Sequence, residues 1–464
     1  MALWKHDVAE LNAGYKFGRF DPVDVLSETQ ARIRVANPIL NAIITPDEKG
    51  AAEAAHASAM RWRAGQPLGP LDGVPITVKD NLQVRGLRCS WGSKLFADHV
   101  PDADESPVER LRAAGAIILG KTNVPEFTLQ GFTDNLLFGA TGNPWDPNLS
   151  PGGSSGGAVA ATASGMGVFA VGTDGGGSIR RPCGHTGLYG LKPSPGFVGR
   201  SGGLPGLLLD FETVGPMTRS ARDLRLAASV LAAHDPNDRA SFAFPAKARI
   251  GSYRVPKTTR ILYVPRFGSA PVDTEIAASV DRAASRLVDL GCRVDQGETP
   301  FDAEVLDAIW GMVGPVGLAW LMQTRDATQV NESLVPMIRT GGEVNAMSYF
   351  DMLTQVGRLR AQLAKVFATY NFIMTPSIAA LSWPKLETHP SRINGIEVGP
   401  RGHAVFTAFA NAGGLPGVAI PASPSSGGLP IGFQLVGAFG SDNSLIDLAE
   451  HYDNAYGGYQ WPAI

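Results

Sequence analysis

Three short segments concentrate the residues able to do chemistry: Gly73–Asp80 (GVPITVKD), Pro151–Gly157 (PGGSSGG) and Gly172–Pro182 (GTDGGGSIRRP). With Gly and Ser each near 7% of average usage, GGSSGG has a chance frequency on the order of 10⁻⁷ per position. Consecutive glycines let backbone amides turn toward one point. The serines they flank could bind phosphate, permit close packing, or transfer an acyl group. A phosphate loop wants G-x-x-x-x-G-K-[ST], and neither glycine-rich segment has a lysine after its last glycine. The dinucleotide fingerprint G-x-G-x-x-G is missing from both as well. Close packing explains part of the small-residue run Ser155–Gly165, but not three glycines in front of Ser178.

Acyl transfer needs a nucleophile, a base to take its proton, and preorganised N–H groups for the oxyanion. Gly175, Gly176 and Gly177 supply amides beside Ser178. His185 is near in sequence, but a Ser–His–Asp arrangement expects G-x-S-x-G, and the chain reads G-G-S-I-R. We read His185 as a hydrogen-bonded structural histidine. Lys79 is the other candidate base, since it ends a strongly apolar strand where desolvation lowers an ammonium pKa toward neutrality. A lone lysine at a strand end is ordinarily a solvated surface charge; the company of the two serine motifs changes that reading. Cys183 lacks the glutamate–lysine setting of a nitrilase-like thiol.

These groups need elements to hold them. Val74–Lys79 reads as a strand, Asp104–Ala114 as a helix with Ser106 as cap and Pro107 in its first turn, and Ala116–Leu119 as a buried strand. Ser155–Gly165 reads as a small-residue helix and Val168–Thr173 as another buried strand. Short apolar strands alternating with helices argue for an α/β sheet. Ile261–Pro265, Val272–Leu290 and Cys292–Val294 give a strand–helix–strand unit. Asp302–Ala364 is mostly helical in pattern, and Phe372–Pro376, Gly417–Ile420 and Ile431–Val436 return to the sheet. No linker divides the chain, so we expect one large domain over 1–464. Within it lie a helical layer (1–65), a motif-bearing core (66–225) and a peripheral region (246–400).

Composition narrows the class. The 464 residues are 44% hydrophobic and 18% charged, a balance that excludes disorder and implies a large core. Fifty-five glycines and 34 prolines exceed the usual shares and call for many tight turns. A formal charge of -3, spread along the chain, gives no footprint for nucleic acid or a membrane surface. The stretch Ala308–Thr324 is apolar but interrupted at Gly314–Pro315 and reads as a buried helix pair. Three distant cysteines and the absence of a signal-peptide pattern make a reducing cytoplasm the expectation. No clustered His/Cys/Asp spacing suggests a metal.

Together, GVPITVKD, GKTNVPEF (Gly120–Phe127), TGNPWDPNLSPGGSSGG, GTDGGGSIRRP and GLYGLKPS (Gly187–Ser194) closely resemble the amidase signature family. Weaker echoes follow in VGPMTRSARD and GLPGVAIP. The resemblance implies a mixed central sheet covered by helices on both faces. It implies hydrolysis of a carboxylic amide by a Ser–Ser–Lys triad, without metal or cofactor. Motif by motif, Ser178 would be the acylated nucleophile, Lys79 the base and Ser154 the proton relay, its counterpart commonly preceded by a cis peptide bond. Gly175, Gly176 and Gly177 would furnish the oxyanion hole, with Thr128 near the acyl group through its backbone. Ser155 would support Lys79 or Ser154, and Asp174 with Arg180 would buttress the nucleophile loop. Trp310, Met312, Trp320 and Met322 fit core or an acyl pocket, and Arg401 fits solvent or a substrate carboxylate. Gly142, Ser194 and Asn371 depart from the family's usual residues, which bears on substrate preference. The expected partner is a small-molecule amide, with a homodimer as a possible assembly. Two other readings belong to this resemblance: the glutaminase subunit of a tRNA-dependent amidotransferase, and a catalytically dead binding protein.

Overall fold

Strands shielded on both faces can be apolar at successive positions, and the chain's short apolar runs take that role. The computed structural model describes residues 2–245 and 258–464. Along the chain the strands are β1 (Ile43–Pro46), β2 (Pro75–Lys79), β3 (Ile117–Thr122), β4 (Phe169–Asp174), β5 (Tyr189–Lys192) and β6 (Thr213–Thr218). Then come β7 (Arg260–Tyr263), β8 (Arg293–Gln296), β9 (Phe372–Pro376), a small hairpin of β10 (Arg392–Ile393) and β11 (Ile396–Glu397), β12 (Gly417–Pro421) and β13 (Gly432–Gly437). All but the hairpin join one 11-stranded mixed sheet in the order β1-β3-β2-β4-β6-β5-β12-β13-β9-β7-β8. Every residue of β2, β3, β4, β6, β9 and β13 is buried.

Alternation along β4 shows how both faces are covered. Phe169 and Val171 join a cluster with Val8, Leu11, Leu111 and Leu231. Ala170, pointing the opposite way, packs with Ala158, Val159 and Ala163 of the helix Gly156–Ala163. That helix lies on β2, β4 and β6, where its small side chains allow close approach.

Register then fixes the chemistry. The parallel pair β2/β4 aligns Ile76 with Phe169 and Val78 with Val171, so the C-terminal ends of both strands emerge side by side. Lys79 ends one and Thr173–Asp174 end the other, at the carboxyl ends of interior strands, where α/β proteins build their sites.

Several elements differ from the sequence reading. The first 65 residues hold helices Val8–Lys16, Pro22–Leu40 and Glu48–Arg63, but also β1, which pairs antiparallel with β3. The helix expected to be capped by Ser106 instead has Glu105 at its N-cap. Ser106 Oγ accepts from the Ser201 amide at 3.0 Å, so tertiary contact claims the hydroxyl. Residues 246–257 of the expected peripheral region lie outside the described residues. Beyond them, β7, the helix Thr274–Asp289 and β8 form the sheet's edge. The apolar stretch between Glu304 and Met322 is two helices, Glu304–Trp310 and Val313–Met322, of 7 and 10 residues. Each is far shorter than the ~20 residues a bilayer crossing needs.

Because Phe169 is fully buried in the strand that carries Thr173 and Asp174, Phe169→Ala is expected to cost about 3–5 kcal/mol of stability. Urea unfolding should show a lower midpoint at an unchanged m-value.

Candidate active site

Lys79 is fully buried, and its Nζ lies 2.8 Å from Ser154 Oγ, 2.9 Å from Thr173 Oγ1 and 3.1 Å from the Thr173 carbonyl. Burial pushes its pKa down to about 7. An ammonium has three donors and no acceptor, whereas a neutral amine keeps a lone pair. As an ammonium Lys79 donates to Ser154 Oγ; as a neutral amine giving its two N–H bonds to Thr173, it turns its lone pair to the Ser154 hydroxyl. Asn81 donates to Thr173 Oγ1 at 2.9 Å and orients it. Ser155 Oγ donates to the Thr173 carbonyl at 3.3 Å, so it touches the lysine's anchor rather than the lysine.

The acid next to Lys79 in sequence is occupied elsewhere. Asp80 pairs with Lys121 at 3.0 Å, both side chains essentially without solvent, and accepts from the Ser90 amide and hydroxyl. Lys79 therefore has no carboxylate in contact among the described residues.

Ser154 follows a cis peptide bond from Gly153. A side chain at Gly153 would collide with the Phe132 carbonyl oxygen, so only glycine fits between that backbone and the serine.

Ser178 lies in the turn joining β4 to the helix Arg180–Thr186. It is 6% exposed, and its hydroxyl makes no hydrogen bond with another described residue. The turn is wrapped around one carboxylate. Asp174 accepts from the amides of Gly177 (2.6 Å), Ile179 (3.1 Å) and Arg180 (3.3 Å) and from the Arg180 guanidinium at 3.0 Å through both Nε and Nη2. The remaining Arg180 donors reach the Thr407 carbonyl, Gln434 Oε1 and Asn411 Oδ1. Despite burial, these contacts hold the Asp174 carboxyl well below the usual range. Each buried charge is paired and each donor used, which makes such a pair tolerable.

This geometry revises the expected oxyanion donors. The Gly177 amide is spent on Asp174, because the turn needs it there to close; Gly177 itself sits at φ +122, where L-residues are disfavoured. The amides of Gly175, Gly176 and Ser178 make no hydrogen bond among the described residues and are the available set. Thr407 Oγ1 donates to the Gly176 carbonyl at 2.7 Å and holds that peptide in place. Thr128 and Phe127 adopt consecutive left-handed conformations (φ +57 and +54). The Thr128 amide is used by the Pro125 carbonyl and its hydroxyl by the Phe127 carbonyl, leaving its own carbonyl unpaired among the described residues.

Other sequence candidates resolve by position. His185 is buried, its Nδ1 is 3.0 Å from Ser382 Oγ, and burial pushes it down to about 3, so it stays neutral. Cys183 is buried and its thiol raised well above the usual value. Trp310 stacks on Phe211 and presents its indole nitrogen to Gly176, whereas Trp320 is 56% exposed and belongs to neither core nor pocket. Met322 is core, and Met312 packs, partly buried, against a separate cluster that includes Phe211 and Ile309. Arg401 is solvent-exposed, yet its guanidinium stands 5.6 Å from the Trp310 ring. Sequence reasoning missed Thr173, Thr407, Asn411 and Gln434. Thr173 was visible inside GTDGGGS; the other three lie more than 220 residues from the turn they brace, without local signal.

The amidase family model matches residues 24–446. The A component of the glutamyl-tRNA(Gln) amidotransferase of Alkaliphilus metalliredigens (strain QYMF) is 29% identical over 480 residues, covering 97% of this chain and 96% of that protein. A bacterial aryl acylamidase of the amidase signature family superposes with a TM-score of 0.89 at 26% identity, covering 98% of this chain and 97% of the other. A 6-aminohexanoate cyclic dimer hydrolase complexed with substrate gives 0.87 at 26% identity, covering 100% and 99%.

Removing one member of the buried pair isolates its role. Arg180→Met leaves Asp174 charged and unpaired, and is expected to destabilise the protein by about 3–5 kcal/mol in urea unfolding.

Proposed function

This chain belongs to the amidase signature family, a mixed-sheet α/β amidohydrolase, and from that premise we propose that it hydrolyses a small carboxylic amide to the acid and ammonia or an amine through an acyl-enzyme on Ser178. The observation that carries the reading is the buried Lys79 amine, 2.8 Å from Ser154 Oγ and without a carboxylate in contact.

Ser178 Oγ attacks the amide carbonyl and its proton passes to Ser154 Oγ, while the Ser154 proton passes to the lone pair of Lys79. The developing oxyanion takes hydrogen bonds from the amides of Gly175, Gly176 and Ser178. One such donor is typically worth about 3 kcal/mol in the transition state. As the tetrahedral centre collapses, the C–N bond breaks and the leaving nitrogen takes a proton from Ser154, which regains one from the Lys79 ammonium. Water then attacks the Ser178 ester by the same route, its proton moving through Ser154 to Lys79, and the acid departs with Ser178 reprotonated. Thr173 keeps the amine aimed throughout. The unpaired Thr128 carbonyl is suited to accept a substrate N–H.

The likeness to the amidotransferase A component over nearly the whole chain supports a second reading, in which glutamine is the amide and the ammonia goes to a partner protein. Glutamine turnover raised many-fold by a co-purifying partner would favour it. Efficient turnover of other amides by the lone chain would count against it.

Ser178→Ala and Lys79→Ala are each expected to lower kcat/KM by roughly 10⁴-fold or more, and fluorophosphonate labelling should vanish in the first. The base works only when neutral. Activity should therefore fall about tenfold per pH unit below a midpoint near 7 and level off above it. A flat profile from pH 5 to 9 would contradict the assignment of Lys79.

A further inference from the structure

At the end of the sheet opposite Lys79, a cavity of about 390 Å³ opens between strand ends and the segment that follows the helix Asp442–Tyr456. Its place follows from the strand register. β4 and β5 both pair antiparallel with β6, and their first residues, Phe169 and Tyr189, both face Thr218. Tyr189 lines the cavity, so the cavity lies where β4 begins. Asp174 and the nucleophile turn lie at the other end of that strand, about 17 Å away along it. The two sites are therefore separate.

The walls are aromatic and the charge is of one sign. Trp145, Tyr189, Tyr459 and Trp461 line the cavity together with Arg219 and Arg286, and no carboxylate lines it among the described residues. Arg219 is buried directly after β6. Its Nη1 donates to the carbonyls of Thr162 and Gly167 and its Nη2 to that of His6, while its Nε makes no hydrogen bond among the described residues. Carbonyls satisfy donors but do not balance the charge. Arg286 stands half-buried on the helix Thr274–Asp289 and donates to the Tyr452 hydroxyl at 3.3 Å. Neither arginine has a carboxylate within ion-pair distance among the described residues.

The neighbouring acids are engaged elsewhere. On the helix Asp442–Tyr456, Asp442 is bonded to Ser194, Asp447 and Glu450 pair with Arg225, and Asp453 accepts from the Tyr189 hydroxyl and the Ala221 amide. Asp289 meets the Tyr456 hydroxyl at 3.5 Å. Both guanidinium groups already lie against rings, Arg219 4.9 Å from Trp461 and Arg286 5.1 Å from Tyr456. A desolvated cation without an anion is costly, and a planar carboxylate matches the guanidinium fork. Aromatic walls favour a flat apolar body, and the volume falls in the range of small-molecule sites.

We propose that this cavity is a second small-molecule site, selective for a planar aromatic carboxylic acid whose carboxylate pairs with Arg219 and Arg286 and whose rings rest against the aromatic walls. Nothing in it depends on the amidase reading, because binding alone tests it.

The probe is 2-naphthoate, titrated by calorimetry into the full chain. We expect one saturable site, with hexanoate and the neutral 2-naphthalenemethanol each bound roughly tenfold or more weakly. Arg286→Gln should weaken 2-naphthoate by about tenfold or more, and Arg286→Lys should recover part of the loss, since it returns the charge without the fork. Arg219→Gln should act in the same direction; should it fail to fold, the half-buried Arg286 decides the matter. Ser178→Ala and Arg401→Gln, at the catalytic end, should bind like the wild type. The acid should also raise the Tm of the wild type more than that of Arg286→Gln. Absence of saturable binding up to about 10 mM overturns the site. So does equal affinity for the neutral alcohol, or binding lost in Arg401→Gln and unmoved in Arg286→Gln.

Discussion

The site depends on an amine kept from every negative charge around it. Asp80 follows Lys79 in the chain, and Glu212 and Asp174 favour its ammonium form from a distance. Each of the three is paired with another cation. Asp80 is taken by Lys121, Asp174 by Arg180 and Glu212 by Arg200. What remains around Nζ is one serine hydroxyl, one threonine hydroxyl and one carbonyl. These solvate a neutral amine adequately and an ammonium poorly. The ion pairs flanking the site therefore do more than hold the fold together. They also keep each of these three carboxylates from pairing with Lys79.

Geometry makes that diversion possible. Parallel β2 and β4 deliver Lys79 and Thr173 to the same sheet end, and Asp174, one residue on, folds the next turn around its own side chain. Bending the turn inward uses the Gly177 amide and leaves those of Gly175, Gly176 and Ser178 unspent. The same turn fixes where Arg181 falls, since its amide begins the helix by bonding to the Gly177 carbonyl. One acid at the end of one strand thus sets the position of Ser178, the unspent amides around it and the position of the adjacent cation. Thr407 and Asn411 close the arrangement from the far end of the chain.

Much of this was legible in the sequence, because the informative residues are local. GTDGGGSIRRP holds Thr173, Asp174, Ser178 and Arg180 within eight positions, and GVPITVKD shows an apolar strand ending in lysine. The alternation of buried strands and helices was likewise carried by short-range pattern. What stayed hidden depends on long-range contact. Gly177 looked equivalent to Gly175 and Gly176 until the Asp174 carboxylate was seen to claim its amide. Strand β1, only four residues, had too little pattern to stand out within a helical layer. Ser106 is a good cap by type, yet Ser201, nearly a hundred residues away, uses its hydroxyl. Trp310 and Trp320 read alike in sequence, but the break between the two helices turns one toward Gly176 and leaves the other in solvent.

The charge state of Lys79 can be read directly. Lysine labelled with ¹³C at the ε position, with Lys79 assigned by its loss in Lys79→Arg, can be followed by NMR from pH 5 to 11. The account predicts a titration midpoint near 7 for that carbon, separate from the surface lysines near 10.4. A Lys79 signal that titrates with the surface lysines would show the amine to be charged at neutral pH and would contradict it.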